Sequence, residues 1–284
     1  MRENEQDPGA DRDNGGIENI LPIGEHVEEA PDESGKNVRH RGVYLLPNLL
    51  TTANMFAGFY AIVCSIHGSF MAAAIAIFFA MIFDGLDGRI ARLTNTQSAF
   101  GAEYDSLSDM VAFGVAPALM AYEWALYQLG NVGLSIAFVY TACAALRLAR
   151  FNTQIGVVDK RWFIGLASPA AAAVVAAMIW SVFSFGEEAV TGEQLPTFVI
   201  VLFAFFIAAV GLLMVSNIKF YSFKDFDLRG RVPFVSMLVM VLAFAVVFSD
   251  TPRVLLLLLM AYVCSGPVQM LLDLRKRKNL SQSA

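Results

Sequence analysis

Eight stretches of the chain are apolar for long enough, or nearly so, to cross a hydrocarbon core of about 30 Å, which takes about 20 helical residues. They lie near 45–66, 70–92, 101–126, 132–150, 169–186, 195–215, 232–249 and 253–272. In lipid every backbone N–H and C=O must be paired within the protein, and a helix does this inside each segment. The expected fold is therefore an all-α integral membrane protein, a bundle of about eight transmembrane helices. Composition agrees: of 284 residues, 57% are hydrophobic and 16% charged, far from the mix of a soluble domain.

Charge orients the spans. Lys36, Arg39, Arg41, Arg89, Arg92, Arg147, Arg150, Lys160, Arg161, Lys219, Lys224, Arg229, Arg231 and the RKRK run at 275–278 fall at ends facing one side, and Arg253 alone faces the other. An even number of spans with this bias puts both termini in the cytoplasm. The net charge of −5 hides the asymmetry, because residues 1–35 hold eleven Asp or Glu against two Arg, leaving 14 acids against 18 Lys and Arg beyond them. That leader lacks an apolar core and a basic start, so residues 1–40 read as a disordered acidic tail rather than a signal peptide. Residues 41–275 then form one membrane domain and 276–284 a basic cytoplasmic tail. The partners expected are membrane lipids and small molecules, with no nucleic acid. The RKRK run reads as a topology anchor or a contact for anionic lipid.

The segment 219–231, KFYSFKDFDLRGR, mixes aromatic and charged residues and reads as an interfacial stretch or an exposed loop. Trp124, Trp162 and Trp180 fall near predicted helix ends, where indoles suit either the membrane interface or ordinary packing. Cys64, Cys143 and Cys264 sit in apolar stretches without shared spacing, as small buried hydrophobes do, so neither disulfide nor zinc site is expected. The histidines, His26, His40 and His67, all lie outside the bundle, which counts against intramembrane serine proteases and phosphohistidine chemistry.

The chemistry-bearing segment is 84–109, DGLDGRIARLTNTQSAFGAEYDSLSD, which joins the cytoplasmic ends of spans two and three. Carboxylates cost about 2.5 kcal/mol or more each at the centre of a bilayer, so four aspartates in or beside membrane helices point to function. At about 100° per residue, Asp84, Asp87, Gly88 and Ala91 share one arc of the second helix, with Arg92 at its margin. Asp105 and Asp109 share a face of the third, one turn apart, with Gly101 a turn earlier. Hard oxygen ligands facing each other across two helices suit Mg²⁺ or Mn²⁺, with positions left for a substrate phosphate. Gly88 and Gly101 leave room for a close-approaching nucleotide or simply for helix packing. Arg92 either forks onto a phosphate or serves as a snorkelling topology charge.

The pattern Asp84-x-x-Asp87-Gly88-x-x-Ala91-Arg92, eight residues, Gly101-x-x-x-Asp105-x-x-x-Asp109 resembles the full motif of the CDP-alcohol phosphotransferase family. The resemblance implies that Asp84, Asp87 and Asp105 hold a pair of divalent cations, and that Asp109 completes the second site and acts as general base. It implies that Gly88, Arg92 and Ser98 contact the CDP-lipid. Ser98 also reads as a helix cap. The opening of span one, PNLLTTAN at 47–54, resembles the family's first helix beside the cytidine, making Asn48, Thr51 and Asn54 candidates; helix initiation by Asn48 and back-bonding by Thr51 is the other reading. Homodimers formed through the membrane helices are implied only by the same analogy.

The motif identifies the donor and leaves the acceptor alcohol open. AALRLARFN at 144–152, GLASPAAA at 165–172 and SNIKFYSFK at 216–224 resemble the bacterial and archaeal branch that accepts L-serine, although Ala167 stands where that branch has Pro. This implies a bacterial or archaeal cell membrane with the site facing the cytoplasm, CDP-diacylglycerol as donor and L-serine as acceptor. Serine brings a carboxylate and an ammonium. Arg147 and Arg150, one turn apart, either bind that carboxylate or are topology charges, and Asn152 either contacts the amine or caps the turn. Glycerol 3-phosphate, inositol phosphate and choline remain alternative acceptors, the phosphate-bearing ones wanting a denser basic pocket. A divalent-cation transporter is the alternative from another class, against which stand Arg92, the placement at helix ends and the absence of an internal repeat.

Overall fold

The computed structural model describes residues 30–31, 37–38, 45–94, 98–153, 162–183, 194–221 and 250–282. The chain divides into two units, Met1–Gly42 and Val43–Ala284. In the first, Ala30–Pro31 (β1) pairs antiparallel with Asn37–Val38 (β2).

The second unit is helical. Its elements are α1 (Leu45–Ile66), α2 (Phe70–Leu93), α3 (Ala99–Asp109), a π-helical turn Met110–Val115, α4 (Ala116–Trp124), a 3₁₀ turn Leu126–Leu129, α5 (Asn131–Thr153), α6 (Ser168–Phe183), α7 (Thr197–Val215) and α8 (Thr251–Gln282). Five of these, α1, α2, α5, α7 and the Thr251–Met270 part of α8, are long and apolar enough to cross a membrane. Among the described residues there are thus five such helices, where the sequence predicts eight spans. Three local facts account for the difference. Helix α6 is apolar but has 16 residues. The expected span at 101–126 is built as α3, the π turn and α4 in succession rather than as one α-helix. The expected span at 232–249 lies outside the described residues, as do 1–29, Lys36, 39–44, Lys160, Arg161 and 222–231.

The core is paved with small side chains, among them Ala61, Ala73, Ala74, Ala80, Ala112, Ala116, Ala144 and a run of alanines in α6. Without a hydrophobic drive between helices in lipid, close backbone approach supplies the attraction, and small residues permit it. Gly58 shows how close: a Cβ there would stand 2.6 Å from the Cα of Ala112, so α1 lies directly on the π turn. Trp124 is 2% exposed and packs edge-on to Phe203 with centroids 4.9 Å apart, which makes it a core residue rather than an interfacial one. The basic run at 275–278 falls within α8, which continues to Gln282.

Two short strands tie the ends of α5, α6, α7 and α8 together. Trp162–Ile164 (β3) pairs antiparallel with Lys219–Tyr221 (β4), with Phe163 opposite Phe220. Phe220 is fully buried, its ring 5.8 Å from that of Tyr262 in α8. The start of 219–231 is therefore an anchored strand, and the remainder of that segment lies outside the described residues. After β3 the chain turns into α6 at Gly165, whose φ is +81°. The Gly165 N–H donates to Ile218 O at 2.8 Å and the Leu166 N–H to Leu213 O at 3.0 Å. A Cβ at Gly165 would lie 2.3 Å from Met214 O. Left-handed backbone costs a residue with a Cβ roughly 1–2 kcal/mol before any clash. Gly165→Ala is therefore expected to lower the thermal unfolding temperature in detergent by several degrees, and an unchanged midpoint would remove the clamp.

Candidate active site

Helix α2 carries Asp84 and Asp87 in its last three turns, and α3 carries Asp105 and Asp109 one turn apart on a single face. One carboxylate oxygen from each of Asp84, Asp105 and Asp109 can be chosen so that all three lie within 4.8 Å of one another. Asp109 is 9% exposed, Asp84 and Asp105 are half-buried, and the buried Asp105 Oδ1 has no hydrogen-bond partner among the described residues. Two like charges at that separation repel by roughly 3.5 kcal/mol at an effective dielectric constant near 20. Such a group costs stability unless a cation or a proton neutralises it. A hard divalent cation suits the donor set, three carboxylates with one oxygen left unbonded by protein.

Helix α1 supports the acids from the other side. Thr51, 4% exposed, donates through Oγ1 to Asp87 Oδ2 at 2.8 Å, while Pro47 O lies 3.1 Å away. Asp87 is thereby turned toward α1, outside the group of three. Asn54 is fully buried; its Nδ2 donates to Asp109 Oδ1 at 3.0 Å, and its own Oδ1 has no partner among the described residues. Ser108 Oγ donates to Thr51 O at 2.9 Å, pinning α3 to α1 at this level.

Ser98 caps α3, its Oγ accepting from the Gly101 N–H at 2.9 Å. A Cβ on Gly101 would meet Ser98 Oγ at 3.1 Å and Asn48 Oδ1 at 3.7 Å, so Asn48, Ser98 and Gly101 lie together at the start of α3. Tyr104, stacked on Phe100, shares a hydrogen bond of 2.9 Å with Thr52 Oγ1. The space beside Gly88 is open, the nearest atom to a Cβ there being Arg92 Nη2 at 3.8 Å. Arg92 itself is exposed and donates from Nε to Gly88 O at 2.7 Å.

The two arginines of α5 part company. Arg147 is half-buried, donates from Nη1 to the fully buried Ser168 Oγ, and lies within the electrostatic reach of Asp109 and Asp84. Arg150 turns away to Asn217 Oδ1 at 2.7 Å and Val215 O at 3.4 Å. Asn152 Nδ2 donates to Ser106 Oγ at 3.0 Å, linking α5 to α3 beside Asp105.

Sequence reasoning passed over Ser106, Ser108, Ser168 and Asn217, all of which hold a functional candidate in place. The serines beside Asp105 carry a usable signal, since hydroxyls between motif aspartates on a membrane helix need partners. Ser168 and Asn217 lie within the segments 165–172 and 216–224 that resemble the serine-accepting branch, but their pairing is not legible, because the partners are 21 and 67 residues away.

The model for CDP-alcohol phosphatidyltransferase matches residues 44–265. A Helicobacter pylori protein named CDP-diacylglycerol--serine O-phosphatidyltransferase is 41% identical over 184 residues, covering 64% of this chain and 74% of that protein. A Mycobacterium tuberculosis protein of the same name is 32% identical over 241 residues, 82% of this chain and 81% of its own. An archaetidylserine synthase of Methanothermobacter thermautotrophicus is 35% identical over 177 residues, 62% of this chain and 69% of its own. With that model matching residues 44–265, most of the helical unit, the chain belongs to the CDP-alcohol phosphatidyltransferase family.

Proposed function

We propose that the chain transfers the phosphatidyl group of CDP-diacylglycerol to L-serine, giving phosphatidylserine and CMP. The observation that carries this reading is Arg147, a cation set against the Asp84, Asp105 and Asp109 group and, among the described residues, bonded to a neutral hydroxyl and to no carboxylate. An acceptor with a carboxylate matches it, and the serine-using relatives point to the same alcohol. Asp84, Asp87, Asp105 and Asp109 would hold two divalent cations, Mg²⁺ or Mn²⁺. When bound, such ions neutralise a diphosphate and stabilise charge on the departing phosphate oxygen.

The chain's own residues do the rest. Asn54 ties down Asp109 Oδ1, which leaves Oδ2 to take the serine hydroxyl proton. The serine oxygen attacks the phosphorus bearing the diacylglycerol, a P–O bond forms, and the bond to CMP breaks with its electron pair leaving on CMP. A carboxylate of reference pKa near 3.9 is a poor base for an alcohol, so it accepts the proton late, as the new bond acidifies the hydroxyl. Asn48, Ser98, Gly88 and Arg92 line the open side where the nucleotide would enter. The site faces the cytoplasm, with both termini on that side of a bacterial or archaeal cell membrane, and the acyl chains stay in lipid.

Arg147 and Arg150 separate under mutation on this reading. Arg147→Ala is expected to cut serine-dependent CMP release about a hundredfold, as truncating a buried hydrogen-bonded charge does. Arg150→Ala is expected to lower thermal stability with a smaller effect on the serine KM, because its bonds close α5 onto the end of α7. Equal KM effects would remove the distinction.

The test is CMP release from CDP-diacylglycerol by the purified protein with Mg²⁺ or Mn²⁺, adding L-serine, glycerol 3-phosphate, inositol phosphate or choline separately. Release with serine alone supports the proposal. Release with another alcohol overturns the acceptor, and no release with any overturns the transferase reading in favour of cation transport.

A further inference from the structure

We infer that Ser168 is a positioning residue that aims Arg147 at the acceptor's carboxylate and thereby sets a preference for a carboxylate-bearing alcohol. This rests on the reading that L-serine is the acceptor. Three independent features support it. First, Ser168 is fully exposed to nothing but protein, at 0% accessibility, and its hydroxyl oxygen receives an Arg147 Nη1 donor. A buried hydroxyl can satisfy part of a guanidinium without cancelling its charge, whereas a carboxylate in that place would cancel it. Among the described residues no Asp or Glu oxygen lies within 4.0 Å of Arg147.

Second, the position of Ser168 is fixed by backbone. It opens α6 three residues after Gly165, whose positive φ and bonds to Ile218 O and the neighbouring Leu166-to-Leu213 bond clamp the turn against the end of α7. The Ala171 N–H donates to Ala167 O at 2.9 Å, so the helix has begun by the time the chain reaches the hydroxyl. Third, the charges around Arg147 favour an anionic guest once the acids are neutralised. Asp84 and Asp109 face it from α2 and α3, and Tyr140 and Tyr262 from α5 and α8. With the carboxylates engaged by cations, the Arg147 guanidinium, whose described partner is a neutral hydroxyl, is left to receive an anionic group. Arg150 cannot substitute, because Asn217 and Val215 O hold it elsewhere.

The experiment measures CMP release by full-length protein in nanodiscs, with L-serine and with L-serinamide, in which a carboxamide replaces the carboxylate and the amine is kept. In Ser168→Ala the KM for L-serine is expected to rise about tenfold while the KM for CDP-diacylglycerol moves less than twofold. The preference for L-serine over L-serinamide should shrink by a similar factor, which loss of packing alone would not cause. Ser168→Thr, which restores the hydroxyl, should recover most of the discrimination, and Ser168→Cys, similar in size with a weak donor and acceptor, should not. Thermal unfolding of each variant separates misfolding from misaiming. An unchanged serine KM in a folded Ser168→Ala protein, or equal rises for both substrates, overturns the inference while leaving serine as acceptor. If the wild-type protein does not use serine at all, the reading beneath it has failed instead.

Discussion

Asp109→Asn should reduce CMP release by about a thousandfold, within the range that a positioned acid–base group contributes. The substitution is close to isosteric, and the amide oxygen can still accept from Asn54 Nδ2, so the 3.0 Å link between α1 and α3 survives. What is lost is one negative charge and the capacity to take a proton. Because Asp109 lies 9% exposed with Asp84 and Asp105 close by, an uncharged side chain there relieves repulsion, and the variant should fold at least as well as the parent. The measurement is serine-dependent CMP release beside a thermal unfolding curve. Activity within tenfold of the parent would show that another group takes the proton. Asn54→Ala should fall between the two, because it frees Asp109 to rotate without removing its charge.

The aspartate constellation was legible in the sequence because its geometry is local. Asp105 and Asp109 meet by helical period alone, and so do Asp84 and Asp87, so only the pairing of α2 with α3 had to be supplied by the short connection between them. What the period does not carry is which oxygen faces whom. Thr51 draws Asp87 toward α1, while Asp84 joins the α3 pair, and nothing in the spacing separates these two fates. The arginines make the same point. Arg147 and Arg150 share a face by period, yet one reaches Ser168 and the other Asn217, because the loops after α5 and α7 bring different partners to each. Hydropathy located the long helices well and missed the π turn at 110–115, since a widened turn changes register without changing composition. That turn follows Asp109 directly and receives Gly58 of α1, so the irregularity and the catalytic level of the bundle coincide. The strand pairing that sets Phe163 opposite the buried Phe220 was hidden for another reason. Its aromatic residues look interfacial until the second strand, more than fifty residues on, is placed beside the first.

Asp105→Asn should make the metal-free protein more stable and the enzyme nearly inactive. In chelator, Asp84, Asp105 and Asp109 stand within 4.8 Å of one another with no cation between them, and each pair costs roughly 3.5 kcal/mol at an effective dielectric constant near 20. Neutralising Asp105 removes two of those three repulsions, so its unfolding temperature in EDTA should exceed that of the parent by several degrees. With Mg²⁺ or Mn²⁺ the order should invert. A cation that binds only the folded state adds about 2.7 kcal/mol at a hundred times its Kd, and the parent should collect this while the variant, lacking a ligand, should not. Activity should fall further than the roughly 10- to 100-fold typical of losing an outer-shell partner, since Asp105 Oδ1 is an unbonded oxygen of the group itself. The same logic gives complete loss of CMP release in the parent on chelation, restored by adding either cation. Thermal unfolding with and without metal decides the matter independently of turnover. If EDTA leaves the parent's midpoint untouched and Asp105→Asn destabilises both forms, the carboxylates are held by protein contacts alone, and the cation has no part in keeping them together.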